Sequence, residues 1–396
     1  MSDAAPGAWL RLCALAASAA AALAVASGSL GLAHRVLTVV ALPPMVALVA
    51  AAWLSHRRLL APSAATLVVF LAASATWWAG GAHVALAAAA LALALVTAAL
   101  VYRGETRDGR ASAHDWVALT KPRIMSLLLL TGVCGMFVGS GGVPPLGDLL
   151  ALTVGLALAC GGASALNHAL DADIDKLMGK RTRDRPVAQG RVPVAHALEF
   201  GLTLSAFSFA LLGSTLNVLT AVLALVGNLF YVLVYTRWLK RSTPQNIVIG
   251  GAAGAVPPLV GWAAATGDLA LPALALFAIV FFWTPPHFWA LALLIKRDYE
   301  AARVPMLPVV RGDRETARQI VLYTVALIAV TATPFLLGTV GWIYLGSALA
   351  LGAVFVVLAW RLRAELVPAR AALLFHYSLA YLALLFVAMA VDPLLV

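Results

Sequence analysis

Charged residues are scarce in this chain. Only 11% of its 396 residues are Asp, Glu, Lys or Arg, 63% are hydrophobic, and the mean hydropathy is +0.95. Soluble domains carry about 25% charged residues, so the composition excludes a soluble globular protein. A helix satisfies its own backbone hydrogen bonds in lipid. The composition therefore predicts an all-α, polytopic integral membrane helical bundle.

Cysteine is also rare. Cys13, Cys134 and Cys160 all lie in apolar runs far apart in the sequence, which argues against a disulfide framework and against a CxxC metal site. Residues 1–8 contain no basic residue and no small-residue cleavage site, so the first apolar stretch is expected to be a retained span rather than a signal peptide.

The net charge of +10 reflects topology rather than nucleic-acid binding. If the N-terminus is cytoplasmic, all of the 27 Lys and Arg residues except Arg35 fall on the cytoplasmic side, as the positive-inside rule requires. The C-terminus is then outside, and a bacterial-type cytoplasmic (inner) membrane is expected. This topology rests on about thirteen apolar stretches of membrane-crossing length, at roughly 9–32, 36–54, 62–80, 83–102, 124–140, 148–166, 194–212, 218–236, 246–263, 270–293, 319–338, 342–360 and 371–391.

A polar connector, residues 103–114, divides these spans. It predicts a four-span N-terminal membrane module at 1–110 and a nine-span domain at 115–396. In the nine-span domain, the chemically interesting residues concentrate in the three cytoplasmic loops after its second, fourth and sixth spans. One active site on the cytoplasmic face is therefore expected.

The strongest motif is Asn167-x3-Asp171-x3-Asp175, where an apolar span meets a basic loop. Steps of four residues keep side chains on one helical face, whereas Asp173 is expected to face away. An amide and two carboxylates suit Mg²⁺, which takes few carboxylates and completes its shell with substrate phosphate oxygens. The nearby Arg and Lys side chains suit a diphosphate. The competing interpretation is a solvated turn with internal ion pairs.

The second loop carries Tyr235, Lys240 and Arg241. The two basic residues could be topology anchors, and Tyr231 and Tyr235 an interfacial aromatic belt. Beside a diphosphate, the Tyr faces would instead support an allylic cation and the basic groups would hold the leaving group.

The third loop contains Trp283-Thr-Pro-Pro-His287-Phe-Trp289 and, further on, Asp298. The Pro pair is expected to open a helix, with His287 in its first turn. A single His in an apolar stretch is often a packing residue, but aromatic neighbours favour a planar ligand or a general base. Asp298 is a candidate for a second cation or for positioning water.

Taken together, these loops resemble the UbiA superfamily of intramembrane prenyltransferases, over about residues 115–392. The closest likeness is to the protoheme IX farnesyltransferase (heme O synthase) branch. Quinone-pathway relatives usually carry several Asp residues where this chain has only Asp298, and the Pro285–Trp289 stretch fits the heme branch better. The resemblance rests on Leu119-Thr-Lys-Pro-Arg123, the Asn167 motif with Lys180–Pro186, Tyr235–Asn246, Gly250–Pro258, Pro285–Trp289 and Asp298–Pro308.

The resemblance implies farnesyl transfer from farnesyl diphosphate to a vinyl group of heme b, giving heme O for terminal oxidases, with Mg²⁺ as cofactor and the lipid bilayer as the setting. It assigns Mg²⁺ to Asn167, Asp171 and Asp175. It assigns heme contact or water activation to His287. The residues expected to bind the diphosphate are Lys121, Arg123, Arg181, Arg185, Lys240 and, from the second loop, Tyr235 and Arg241.

Residues 1–110 resemble half of a heme A synthase bundle. His34 and His83 lie at the outer ends of two spans, where they could be paired axial ligands of a heme. The Cys pair and the acidic outer loop of the full synthase are missing, so a structural or assembly module remains the alternative, and a heme A synthase is a candidate partner.

Two other functions compete with this reading. One is a prenyltransferase that acts on an aromatic quinone precursor. The other is a membrane transporter, which would place charges along a path through the membrane and break helices near its midplane. Here the ionisable groups gather on one side, which disfavours transport.

Overall fold

The computed structural model describes residues 111–395, together with the isolated positions 14, 17, 46, 49 and 67. Within 111–395 the side chain of residue 181 lies outside the description. Apart from these isolated positions, the four predicted N-terminal spans, including His34 and His83, lie outside the described residues, so the division at 103–114 stays a prediction.

The described residues form nine helices that are long and apolar enough to cross a membrane. Each has at least 19 residues, and about 20 residues are needed to span the hydrocarbon core. All nine spans predicted for this region are confirmed. They are α2 (Pro122–Ser140), α3 (Leu146–Leu170), α6 (Val194–Thr215), α7 (Val218–Ser242), α8 and α9 (Asn246–Gly254 and Val256–Thr266, together one span), α10 (Leu271–Leu294), α13 and α14 (Gly312–Thr331 and Thr333–Leu336, one span), α15 (Trp342–Ala364) and α16 (Pro368–Leu395).

Helix packing in the bundle depends on small residues. The pairs α3–α6 and α2–α9 are in extensive contact, and α10 lies between α13 and α16. At the α2–α9 crossing, a Cβ built on Gly261 would collide with the backbone of Gly132. Glycine at position 261 therefore allows the two backbones to approach closely, as small residues do in membrane bundles.

The remaining short helices all lie at one end of the bundle, which we call the basic end. The connections there are residues 171–193, 243–245, 295–311 and 365–367, preceded by the segment that leads into α2. Within residues 111–395, the connections at the opposite end contain no Lys or Arg. The short helices are α1 (Ala113–Leu119), α4 (Ala172–Leu177), α5 (Lys180–Arg183), α11 (Lys296–Ala301) and α12 (Leu307–Val310).

One expectation about helix starts is wrong. Pro285 and Pro286 do not open a helix, because both lie inside α10, and His287 occupies the middle of that helix. A neighbouring pair of prolines removes only two backbone donors, and packing on both sides holds the helix together. The third loop is accordingly shorter than expected and runs from residue 295 to 311.

Two irregularities shape the helices around the site. In α7, residues Phe230–Leu239 form a π-helix, a rare form that is frequent at functional sites. The span formed by α8 and α9 is interrupted at Ala255, just before Pro257 and Pro258, and proline is a common cause of such a break.

Candidate functional site

The Asn167 motif continues its helical register through a helix junction. Helix α3 ends at Leu170, Asp171 joins it to α4, and Asp175 lies in α4. The backbone N–H of Asp171 donates to the carbonyl of Asn167 (2.9 Å), and that of Asp175 to the carbonyl of Asp171 (2.8 Å). Spacing of four residues per turn therefore holds across the junction, so the three side chains share one face.

Asp173 faces the other way, as expected. Its side chain is 65% exposed and forms two 2.7 Å hydrogen bonds with Arg241. By contrast, Asn167, Asp171 and Asp175 are all buried. This hydrogen bonding from Arg241 lowers the pKa of Asp173 to about 2, so Asp173 is engaged in a separate ion pair.

Every member of the buried triad contacts a basic side chain. Lys121 Nζ donates to Asn167 Oδ1 (2.8 Å), and Lys240 Nζ donates to Asp171 Oδ2 (2.5 Å). Arg185 Nη1 donates to both carboxylate oxygens of Asp175, each at 2.9 Å. Buried charges require such partners. The same three basic side chains are also placed to bind an anion. Asn167 also donates to Asp171 Oδ2 (2.8 Å) and Thr236 (3.1 Å).

Burial shifts the ionisation of this cluster. It lowers the pKa of Lys121 to about 7, and the positive charge of Arg185 acts in the same direction. Burial also raises the pKa of Asp175, although Arg185 opposes this shift. A cation beside Asp175 would favour its ionised form, and an anion beside Lys121 would favour its protonated form. A metal-bound diphosphate would supply both charges.

The donor set fits Mg²⁺. Asp171 Oδ1 is buried without a hydrogen-bond partner, and Arg241 lies 3.7 Å away. This carboxylate oxygen is therefore available as a ligand for a hard cation. Among the described residues, no three His, Cys, Asp or Glu side chains are grouped as a metal cage. An ion that takes two carboxylates and an amide, and completes its shell with phosphate oxygens, matches this arrangement.

A large cavity begins at Asn167 and Asp175 of the triad and continues between the helices. Its volume is about 1320 Å³, more than the 300–1,000 Å³ usual for one small-molecule ligand. The wall is ionic near the triad and otherwise mainly apolar and aromatic. The ionisable and amide side chains on the wall include Lys121, Arg123, Asn167, His168, Asp175, Arg185, Lys240, His287 and Asp298.

Two stacked tyrosines line the cavity close to the triad. The rings of Tyr231 and Tyr235 lie 5.5 Å apart at 26°, four residues apart in the π-helical part of α7. Tyr235 packs onto α8 over Gly250, where a Cβ would collide with its ring. Glycine at position 250 therefore sets the position of this aromatic wall.

The other predicted residues are placed as follows. Asp298 lines the cavity and lies over Gly179, where a Cβ would collide with its carboxylate. Arg123 is exposed and lies at the cavity wall. Arg241 binds Asp173 and lines a separate small cavity. His287 is buried and lines the large cavity. Arg181 lies in α5, but its side chain is outside the described part of the chain.

The sequence did not single out His168. It is 2% exposed, it lines the cavity, and both of its ring nitrogens are buried without hydrogen-bond partners. Its position next to Asn167 is the one available signal. Thr236 and Ser378, which bond to Asn167 and His287, carry no sequence signal at all, because isolated hydroxyls are common in membrane helices.

Comparisons with known proteins identify the family of the chain. Residues 128–391 match the UbiA prenyltransferase family. A curated relative from Roseiflexus sp. (strain RS-1), named protoheme IX farnesyltransferase, is 53% identical over 286 residues, covering 72% of this chain and 53% of the relative. The chain thus spans about half the length of that relative. A relative of the same name from Symbiobacterium thermophilum is 54% identical over 281 residues, covering 70% of this chain and 94% of the relative.

Solved structures share the fold. A digeranylgeranylglyceryl phosphate synthase structure matches with a TM-score of 0.60 and 17% identity, covering 72% of this chain and 99% of the other. A UbiA homolog from Archaeoglobus fulgidus bound to GPP and Mg²⁺ matches with a TM-score of 0.51 and 16% identity, covering 69% and 99%. With the family match and the close relatives, these findings lead to one assignment: the chain belongs to the UbiA prenyltransferase family and is an integral membrane protein.

Proposed function

We propose that the protein transfers the farnesyl group of farnesyl diphosphate to a vinyl group of heme b, giving heme O. The observation that carries the proposal is the buried triad with its three basic partners at the end of a cavity large enough for two ligands. The names of close relatives support the choice of donor and acceptor.

The basic end of the cavity would bind the diphosphate. Lys121, Arg185 and Lys240 already lie within hydrogen-bond distance of the triad. A diphosphate held beside them could accept their N–H groups, since Arg and Lys form strong charge-assisted bonds with phosphate. Asn167, Asp171 and Asp175 would hold Mg²⁺, which would neutralise charge on the diphosphate when bound. Arg123 would contact the diphosphate from the cavity entrance.

The reaction breaks the bond between the farnesyl group and the diphosphate, uses up the vinyl double bond, and forms one C–C bond and one C–O bond. The bond between C1 of the farnesyl group and the diphosphate oxygen breaks, and the basic side chains stabilise the departing pyrophosphate. The faces of Tyr231 and Tyr235 stabilise the allylic cation. The terminal vinyl carbon of the porphyrin then bonds to C1. Water adds to the adjacent carbon and loses a proton, which leaves a hydroxyl group there.

The volume and wall of the cavity suit two apolar substrates. The cavity exceeds the usual size of a single-ligand pocket, and Phe288, Leu379 and Ala383 contribute apolar surface. Such a wall accommodates both a fifteen-carbon tail and a porphyrin. It also keeps bulk water from the allylic cation, which would otherwise be hydrolysed.

The experiment is to incubate the purified full-length protein with Mg²⁺, farnesyl diphosphate and heme b, and to identify the porphyrin by mass. Addition of one farnesyl group and one hydroxyl is expected. A parallel incubation with 4-hydroxybenzoate, a phenolic quinone precursor, tests the alternative acceptor. Prenylation of the phenol with heme b left unchanged would overturn the assignment of the acceptor.

Residues 1–110 form a separate module in this proposal, since the family match begins at residue 128. His34 and His83 would either bind a heme or serve a structural or assembly role, for example toward a heme A synthase. An absorption spectrum of the full-length protein with both residues changed to Ala separates these roles. Loss of a heme band present in the parent protein supports ligation, and no band in the parent protein excludes it.

A further inference from the structure

His287 is a polar side chain on the cavity wall, outside the triad, that stacking and a hydrogen bond hold in place. It lies in α10, is 7% exposed, and lines the cavity. Its ring is stacked on Trp283 of the same helix (4.3 Å, 15°) and on Phe375 of α16 (4.8 Å, 21°). Both aromatic rings are nearly parallel to the imidazole and within stacking distance of it. We therefore place one ring on each face of the His287 side chain.

This stacking leaves only the edge of the imidazole available. The nitrogen lone pair of a neutral imidazole lies in the ring plane, so covering both faces does not block it. Instead, the two neighbours fix the plane in which the lone pair points. A residue held only for packing would not need this orientation.

A hydrogen-bond relay assigns the tautomer of His287. Ser378 Oγ donates its proton to the carbonyl of Phe375 (2.6 Å), so toward His287 Nδ1, 2.7 Å away, the same oxygen acts as an acceptor. Nδ1 must then carry the proton, because a serine hydroxyl has a single donor. The backbone of Ser378 is held in turn, since Trp283 Nε1 donates to its carbonyl (2.7 Å).

The other ring nitrogen, Nε2, is left with a free lone pair. Among the described residues it has no hydrogen-bond partner. Unlike both ring nitrogens of His168, it is also not sealed off from the cavity. A neutral imidazole with one N–H satisfied and the other nitrogen open to a cavity is the form in which His ligates metals, and the partner of the N–H fixes the ring.

We infer that His287 binds the iron of the porphyrin substrate through Nε2, and that Ser378 is the positioning residue that fixes this tautomer. The inference rests on the proposed function for the identity of the porphyrin. A porphyrin held by its iron on the edge of His287 would present its rim, including the vinyl groups, to the rest of the same cavity. Iron ligation would thus position the acceptor independently of the diphosphate.

The test compares two porphyrins on the full-length protein. Heme b and metal-free protoporphyrin IX have the same rim, but only heme b can be ligated. Both are titrated by absorption into the protein with His34→Ala and His83→Ala, so that ligation elsewhere does not contribute. Heme b is expected to bind more tightly than metal-free protoporphyrin, with the spectrum of a histidine-ligated heme.

Variants then locate the ligand. His287→Ala should remove the histidine-ligated spectrum and the preference for heme b, and added imidazole should restore the spectrum. Ser378→Ala should weaken heme b binding about 10-fold, as loss of a partner of a ligating His does, without changing the affinity for metal-free protoporphyrin. Ser378→Thr, which keeps the hydroxyl, should restore the affinity for heme b. His376→Ala is the matched control, because His376 is exposed on the same helix and should change nothing.

The outcomes distinguish this inference from the proposed function. Equal binding of the two porphyrins, or an unchanged heme spectrum in His287→Ala, would overturn iron ligation by His287 while leaving farnesyl transfer standing. Ser378→Ala indistinguishable from the parent protein would overturn its positioning role. If neither porphyrin binds and heme b is not converted, the proposed function itself fails.

Discussion

The ammonium group of Lys240 lies 2.5 Å from the carboxylate of Asp171, and both side chains are buried. This ion pair connects the end of α7 to the junction between α3 and α4. It brings the second predicted loop to the first, although the two residues are 69 positions apart. The proposed diphosphate site takes residues from both loops and would therefore depend on this contact.

The triad register leads to the first prediction. Asp171→Ala and Asp175→Ala should each reduce turnover at least about 100-fold, as removal of a group that stabilises transition-state charge does. Asp173→Ala should retain turnover within about 10-fold, because Asp173 is exposed and faces away. The measurement is the rate of pyrophosphate release with heme b and farnesyl diphosphate. Equal losses in all three variants would contradict the register.

A folding control accompanies this prediction. Asp171→Ala leaves Lys240 buried without its partner, which costs about 3–5 kcal/mol. The double variant Asp171→Ala with Lys240→Met removes both charges and should recover thermal stability in detergent. It should not recover turnover. Recovery of both would mean that the pair has only a structural role.

Membrane spans could be predicted from the sequence, because apolar runs of about 20 residues determine them. Hydropathy predicts the start of the seventh of these spans at about 319, whereas α13 begins seven residues earlier, at Gly312. Its first two turns contain Asp313, Arg314, Glu315 and Arg318, so hydropathy does not detect them. The Pro285–Pro286 prediction failed because packing outweighed a local helix-breaking signal.

The shared face of the triad side chains could be predicted, because their spacing of four residues continues through the helix junction. His168 and Ser378 could not. Their significance comes from burial, unpaired nitrogens and contacts between distant helices, none of which a single sequence reveals. The separation of Arg241 from the cavity also depends on tertiary structure, since Lys240 and Arg241 are adjacent and only Lys240 lines the cavity wall.

Close helix packing gives a second prediction. Gly261→Ala should lower the stability of the detergent-solubilised protein by about 3 kcal/mol, because the new Cβ would collide with the backbone of Gly132, which cannot move aside. Gly254→Ala is the matched control. It has open space around it and lies in a helix, so it should be neutral or stabilising. Similar thermal unfolding temperatures for the two variants would refute the α2–α9 crossing.

The Asp115–Arg191 ion pair predicts a pH dependence. Burial tends to raise the pKa of Asp115, but hydrogen bonds from the Ser112 backbone and from Arg191 outweigh it, and the pKa is lowered. The resulting stabilisation is complete above the unfolded-state value near 3.9 and is lost as the pH falls toward the lower folded-state value.

Acid unfolding measures this contribution. Asp115→Asn should unfold more readily than the parent protein at neutral pH, and the difference should shrink below about pH 4. Asp148→Asn, at the opposite end of the bundle, should follow the parent protein throughout. A stability difference for Asp115→Asn that is the same at pH 7 and pH 3 would contradict the ion pair's contribution.

Membrane orientation gives a fourth prediction. Single cysteines at Gln189 and Val143, introduced into a protein without its three native cysteines, lie exposed at opposite ends of the bundle. The basic end should be cytoplasmic. In intact cells, a membrane-impermeant maleimide should therefore label Val143→Cys and not Gln189→Cys. The reverse labelling would invert the topology.

The most direct test of the central claim is equilibrium binding of an unreactive farnesyl diphosphate analogue, such as the thiolodiphosphate, by calorimetry. If the triad holds a metal-bound diphosphate, binding should require Mg²⁺ and should be weakened about 10–100-fold by Asp175→Asn, with Asp173→Asn close to the parent protein. Equal affinity with and without Mg²⁺, or an unchanged affinity in Asp175→Asn, would contradict a metal-bridged diphosphate site at Asn167, Asp171 and Asp175.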